Sequence, residues 1–544
     1  MTSSTPYAGA ENDSPAARYP DPTPLLLASG LSPQDVAQIL QPYGLKDWKR
    51  ADQNLQTMAG EPVARKALAT ILPGVLDSVA RTADPDQAIN EWERYVDSGI
   101  QRLQLFQYLA MVPHVVEVLG AAFGNSPAMA QTFIRDPLLV YWIEDDGVLR
   151  RRMTRKVLEA NVQASLSTVT SFEAKCEALR RMKRREMLRI GIRDLLGLAT
   201  PVETYTVLSD LASAVIHAAY ELVDRELRQQ FGDFHEGASS KQKADGFSVL
   251  AMGKLGGWEL NYSSDVDLIY VYHAPEGHTK AGRGQTSITR AQYCENLARE
   301  LTSVLTAPTA EGALFRVDLR LRPEGMVGPL ASSLEDALHY YAGRGRTWER
   351  LAFLKARPIA GNIRVGQALI KGLTNFVYGN EHNGDQVFPA IQSLRSQILA
   401  KMIRRGEVDR HVKLGIGGIR EIEFIVQALQ LRWGHAYPKI RDRQTLKGLV
   451  KLTHIDKLTA QEARLLKESY VFLRNLEHKL QMVHEFQTHL LPSKTEEIGK
   501  CAVRMGYLKQ LTVAQATEKF LYDYRRHTTT VHQLYERILC SSSS

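Results

Sequence analysis

The chain has 544 residues, 44% hydrophobic and 24% charged, and its 68 Lys plus Arg against 60 Asp plus Glu give a formal net charge of +8. That length corresponds to about three structural units, and the composition excludes a wholly disordered, collagen-like or disulfide-scaffold chain. The positive excess is small and interspersed with acids, which points away from nucleic acid as a partner. Cys176, Cys294, Cys501 and Cys540 form no CxxC pair, so they fit a reducing cytoplasm rather than a zinc module. The start of the chain lacks a basic region followed by an apolar one, and no run of ~18 apolar residues is unbroken. The expectation is a cytoplasmic protein with no membrane span.

Residues 1–24 are rich in Ser, Pro, Ala and Asp and read as a disordered arm. From Ser32 the pattern turns helical, with a Ser cap and Pro in the first turn. Helical periodicity continues to about residue 230. Within it, Arg181, Arg185, Arg189 and Arg193 recur at four-residue steps, predicting a cationic stripe that is either a solvated face or a phosphate or partner contact. At Gly246 the texture changes: FSVLAM, VDLIYVY and LFRVDLRLRP have strand composition, with a helix-like stretch before the last. After about Val387 the chain reads helical again to its end, and no 20–50-residue repeat emerges.

Chemistry concentrates in GFSVLAMGKLGGWELNYSSDVDLIYVY, residues 246–272. Residues two apart on a strand share a face, so Asp265 and Asp267 project together while Val266 and Leu268 face the core. Adjacent carboxylates repel, and a shared Mg²⁺, which prefers oxygen ligands, relieves that repulsion. The Gly256–Gly257 pair lets backbone N–H groups approach phosphate oxygens. In FRVDLRLRP, Phe315, Val317, Leu319 and Leu321 alternate with Arg316, Asp318, Arg320 and Arg322. An exposed amphipathic strand reads this way; so does a metal carboxylate beside anion-binding arginines. Together Asp265, Asp267 and Asp318 suggest two-metal phosphoryl or nucleotidyl transfer. GKLGGW is neither a P-loop nor GxGxxG, and no histidine spacing supports zinc.

A glycine pair followed by DxD resembles the nucleotidyltransferase superfamily typified by DNA polymerase beta. The longer strings KLGG…ELNYSSDVDLI, RVDLRLRPEG, GRTWERLAFLKAR and KLGIGGIREIEFIVQ resemble, in order, the glutamine synthetase adenylyltransferase/adenylyl-removing enzymes. The wording is similar to their N-terminal, adenylyl-removing half, and this chain carries a single GG…DxD set. The resemblance implies an α+β, predominantly helical fold. Its small mixed-sheet nucleotidyltransferase core would span 151–375, between N-terminal helices (25–150) and a C-terminal helical bundle (376–540), with a tail at 541–544. It implies phosphorolysis of the adenylylated tyrosine of glutamine synthetase, giving ADP.

In that scheme Asp265, Asp267 and Asp318 hold Mg²⁺, in two ions, or Mn²⁺. Gly256, Gly257 and Ser264 cradle the nucleotide phosphates, and Arg320 and Arg322 hold phosphate oxygens. Lys254 either reaches a phosphate or is a solvated loop lysine. Implied partners are adenylylated glutamine synthetase, phosphate, ADP or AMP, and the PII signalling protein. Glu421 and Glu423 suit a helix start without catalysis, Trp348 and Glu349 suit packing near the site, and His478 reads as structural. Competing readings are nucleotide addition to glutamine synthetase, to RNA or to another signalling protein, or a non-catalytic regulatory module.

Overall fold

The computed structural model of the chain describes residues 19–234, 246–273, 276–280, 282, 285–379, 386–483, 487–508 and 511–540. Most of the expected arm (1–18) and the tail (541–544) lie outside these residues. The arm's last residues are packed: Tyr19 stacks on Tyr43 at 4.6 Å, and the Tyr43 hydroxyl donates to the Pro20 carbonyl at 2.7 Å. Ser32 caps the helix Pro33–Leu40 by accepting the Asp35 N–H, with Asp35 returning the bond, a reciprocal arrangement that satisfies two orphan donors.

The described residues are mostly helical around a small mixed sheet of five strands, β1 (Phe247–Ala251), β2 (Val266–Tyr272), β3 (Val317–Asp318), β4 (Ala331–Ser333) and β5 (Arg357–Gly361), and a separate antiparallel ribbon pairs Asp233–Phe234 with Thr279–Lys280. β1 lies antiparallel between β2 and β5, while β3 and β4 pair parallel with successive stretches of β2. Side-chain alternation splits the sheet between two hydrophobic cores. Phe247, Val249, Leu268, Tyr270 and Tyr272 join the N-terminal helices. Leu250, Met252, Ile269 and Val271 join the C-terminal helices. Both strands are therefore buried on both faces, which explains why they read as continuous apolar runs. Asp265 and Asp267 share the parity of Ile269 and Val271 and so face the C-terminal helices.

Two expectations change. The alternating stretch 315–322 is a strand only over Val317–Asp318; the chain then turns, with the Arg322 N–H donating to the Leu319 carbonyl. The arginine stripe on the helix Phe172–Leu195 is largely internal. Arg189 pairs with Glu186 in the core, Arg193 reaches Glu203, Arg185 stacks on Trp142, and only the exposed Arg181 faces outward, toward Glu311. The four-residue spacing is met by a buried ion pair, a half-buried one and a cation–π contact, a pattern that periodicity cannot separate from a wet face. The helix Pro201–Phe231 is long and apolar enough to span a bilayer, but its apolar stretch is mostly buried in the protein. All four cysteines are free.

Candidate active site

A cavity of about 570 Å³ opens where the ends of β2 and β3 meet the C-terminal helices; Gly253, Ser264, Asp265, Asp267, Asp318 and Arg320 line one side. Lys413, Arg420 and Glu423 line the other, with Trp348 at its wall. The parallel register places Asp267 directly beside Asp318. Asp265 and Asp267 thus converge with Asp318, although Asp318 lies some fifty residues further along the sequence.

Each carboxylate is held differently. Asp265 accepts from Arg316 Nε at 2.6 Å, and Arg316 is itself fixed by the Ser263 carbonyl at 2.7 Å. Asp318 accepts from the Arg320 guanidinium at 2.9–3.0 Å and from its backbone N–H at 2.9 Å; these bonds hold its carboxyl below the usual range. Asp267 has no such partner among the described residues. Burial, then the Asp318 and Asp265 charges, push it up to about 6, against the pull of Lys413 and Lys254. Gly253, at φ +52°, brings its backbone so close that a Cβ there would lie 2.4 Å from Asp267 Oδ2. Only glycine fits.

Three carboxylates on adjacent strands, one with unrelieved repulsion, form a donor set suited to a hard divalent cation. Among the described residues no three His, Cys, Asp or Glu side chains stand close enough to make a ready-formed metal cage. Arg316 and Arg320 hold two of the three carboxylates, so a cation bound by all three would have to displace these arginines.

Ser264 lines the cavity, its Oγ accepting the Asn261 N–H at 3.3 Å. Gly256 and Gly257 do not line it. A Cβ on Gly256 would sit 2.0 Å from the Lys355 carbonyl oxygen, and one on Gly257 3.0 Å from that of Arg443. The pair is therefore required by the close passage of the turn before β5 and of the loop at Arg443, and Gly253 takes the cavity-facing place. Lys254 is no loop lysine: it lies in the single-turn helix Gly253–Gly256 and donates to buried Glu477 at 2.8 Å. Burial pushes its ammonium down to about 7.

Arg322 does not line the cavity. It is buried, and its guanidinium donates to the carbonyls of Leu319, Met326, Gly328 and Pro329. It clasps the loop 323–329, which presents Met326 and Val327 to solvent. Removing the clasp strands four carbonyls, with ~1–3 kcal/mol at stake per buried group. Arg322→Ala is expected to speed hydrogen exchange and proteolysis within 323–329 while leaving the amides of β1 and β2 protected. Equal protection of the loop in variant and parent would refute the clasp.

Lys413 and Lys355, which the sequence alone did not single out, line the cavity together with Glu423. Lys413 stands at the start of the glycine-rich turn before the helix Ile419–Trp433; Asp267, Glu423 and Glu477 draw on its charge while burial pushes its ammonium down. Its backbone is fixed by the Arg420 N–H donating to its carbonyl at 2.9 Å. Glu423 binds Lys355 at 2.9 Å, Lys355 binds Glu259 at 2.7 Å, and Glu259 accepts the Thr445 N–H at 2.7 Å. Glu421, two residues away, points elsewhere, to Arg395 and the Gly417 N–H, as helical geometry requires. Glu349 is buried, capping the Arg346 N–H at 2.7 Å and accepting from Tyr340. His478 is buried and accepts the Tyr262 N–H at 3.2 Å, a structural role. The signal for Lys413 lay in KLGIGGIREIEF, whose lysine precedes the glycines that aim it.

The comparisons agree with this architecture. Residues 116–371 match the family model described as glutamate-ammonia ligase adenylyltransferase, and residues 392–539 match that described as GlnD PII-uridylyltransferase. A bifunctional glutamine synthetase adenylyltransferase/adenylyl-removing enzyme of Nitrosococcus oceani is 36% identical over 428 residues, covering 78% of this chain and 42% of the relative. A Rhizobium meliloti enzyme of the same description is 36% identical over 430 residues, covering 77% and 42%. One from Pseudomonas aeruginosa is 37% identical over 384 residues, covering 70% and 38%. The homologues of this chain are thus bifunctional enzymes acting on glutamine synthetase, and the chain spans about two fifths of their length.

Proposed function

We propose that this chain removes AMP from the adenylylated tyrosine of glutamine synthetase by Mg²⁺-dependent phosphorolysis. The observation that carries nucleotidyl transfer is the pairing of Asp267 with Asp318 in a cavity faced by Lys413. The direction rests on the strings KLGG…ELNYSSD, TWERLAFLKAR and GGIREIEF, which resemble the adenylyl-removing half.

In this reaction a phosphate oxygen bonds to the AMP phosphorus, the bond from phosphorus to the tyrosine oxygen breaks, and the products are ADP and free tyrosine. Mg²⁺ held by Asp265, Asp267 and Asp318 would supply charge neutralisation at the transferring phosphoryl group. Phosphate is already anionic, so positioning and electrostatics dominate over base catalysis. Lys413 and Arg320 supply positive charge from opposite walls. Tyrosine, with an ordinary pKa of ~10, leaves readily as phenoxide or phenol. The exposed Met326 and Val327, a few residues past Arg320, suit contact with a protein substrate rather than a small one.

The test incubates the chain with AMP-modified glutamine synthetase, Mg²⁺ and phosphate. Phosphate-dependent ADP release is expected; AMP incorporation from ATP without ADP release would instead favour the adenylylating direction. On the proposed reading, Lys413→Met lowers kcat/KM by ~10²–10³-fold, the range for losing one oriented electrostatic group. Its circular dichroism should match the parent. Unchanged turnover would remove Lys413 from the site.

A further inference from the structure

Behind the catalytic cavity, across the segment 351–356 that leads into β5, lies a second cavity of about 590 Å³. Trp258 and Tyr378 give it an aromatic lining, and Arg441, Arg443, Lys447 and Lys451 give it four cations against the single acid Asp442. Lys451 takes that acid, at 2.8 Å. Arg441 stacks on Tyr378 at 4.2 Å and spends Nε on the Gly434 carbonyl. Arg443 spends Nε on the Ala356 carbonyl at 2.6 Å. Both leave their Nη groups without a carboxylate, and the exposed Lys447 meets no acid within ion-pair distance among the described residues.

The surroundings add one cation, Arg357, and one carboxylate, Asp210, which accepts from Trp258 Nε1 at 3.2 Å. Arg357 stacks on the Trp258 ring at 3.8 Å, and burial together with Arg155 and Arg443 pulls its guanidinium down to about 9. Trp258 itself is held at φ +54°, a conformation that a bulky side chain adopts only when its surroundings impose it. Unneutralised cations gathered in a concave, partly apolar space favour a bound anion. The volume is that of a nucleotide rather than of a lone ion. Leu354 and Ala356 line this cavity while Lys355 between them lines the catalytic one, so the two sites sit on opposite sides of one backbone segment.

We propose that the second cavity is a binding site for a phosphate-bearing small molecule, separate from the catalytic carboxylates. Neither the relatives' names nor the deadenylylation reading assigns it. Phosphates ligate to Arg441 and Arg443 through bidentate guanidinium contacts, with Lys447 as a further point charge.

The test is calorimetric titration of the full chain with ADP and, separately, pyrophosphate, in EDTA and without glutamine synthetase. This removes divalent-dependent binding and any turnover. Saturable binding is expected, weakened about tenfold or more by Lys447→Glu, retained by Lys447→Arg, and changed less than about twofold by Lys413→Met. Binding of ADP but not pyrophosphate assigns part of the affinity to the aromatic lining; equal binding of both assigns it to phosphate alone. Absence of saturable binding of either probe overturns the proposal. So does binding that Lys413→Met weakens and Lys447→Glu leaves intact, because it places the ligand in the catalytic cavity. Failure of the deadenylation assay has no bearing on this result, since neither metal nor protein substrate is present.

Discussion

Asp267→Asn is expected to abolish turnover, by ~10³-fold or more, and at the same time to stabilise the metal-free protein. Both effects have one cause. The Asp267 carboxylate has no hydrogen-bond or ion-pair partner among the described residues, and burial, then the Asp318 and Asp265 charges, push it up to about 6 from an ordinary 3.8. A carboxyl whose folded value is raised binds its proton more tightly folded than unfolded. Stability is therefore lost as pH climbs from about 4 to about 6, and the deficit persists above that window. The shift corresponds to roughly 3 kcal/mol. An uncharged amide of the same shape escapes that penalty. Thermal or urea unfolding in EDTA should show Asp267→Asn more stable than the parent at pH 7.5, with the difference shrinking toward pH 4. Adding Mg²⁺ should stabilise the parent through binding to the native state and leave the variant unmoved. A variant that keeps a tenth of the activity, or is less stable in EDTA at neutral pH, would sink the assignment. The trade of stability for a charged, strained centre is common where a site must hold a cation.

Much of this centre was legible from residue spacing, and the reasons for the exceptions are physical. Strand periodicity of two placed Asp265 and Asp267 on one face, and the alternation of Val266 with Leu268 identified the other. What spacing could not show was which strand would pair with which. The contact of Asp267 with Asp318 depends on a parallel register between segments some fifty residues apart. Arg322 departs from its expected place because an alternating run of eight residues looks like one strand, whereas the chain already turns over Leu319–Arg322 and carries that guanidinium to the carbonyls of the following loop. Gly256 and Gly257 were read for their freedom to approach phosphate. Their close neighbour is instead backbone, and glycine answers both needs identically in a sequence. Glu423 was set aside because two acids two apart on a helix cannot share a ligand. That argument held, yet it left open that each would serve a different neighbour.

Glu477→Ala should be among the most destabilising single substitutions in the chain, by ~3–5 kcal/mol. Glu477 has no exposed side-chain surface, and four groups converge on it: Lys254 at 2.8 Å, His489 at 2.8 Å, Arg474 at 3.4 Å and Asn261 at 2.6 Å. Burial opposes its charge, but Lys254 and Arg474 overcome that penalty and hold its carboxyl well below the ordinary range. Truncation takes from Lys254 and Arg474 the carboxylate in direct contact with both, which is far worse than replacing the whole cluster by apolar groups. Glu477→Gln keeps hydrogen-bonding capacity and loses only charge, so it should fall between the parent and Glu477→Ala. A depressed carboxyl contributes stability that is present above about pH 4.5 and lost as pH falls toward the folded value. Acid denaturation should therefore begin at higher pH in the parent than its overall acid content implies, and this component should vanish in Glu477→Gln. The activity consequence follows from chain geometry. Lys254 and Gly253 are neighbours, and Gly253 cradles Asp267, so loosening the Lys254 anchor disorders the floor beneath the catalytic carboxylates. Urea titration together with ADP-release assays across Glu477→Gln and Glu477→Ala should show stability and turnover declining in the same order. A loss below 1 kcal/mol in Glu477→Ala, or full activity in it, would mean that the ion cluster beneath the cavity neither holds the fold together nor positions the site.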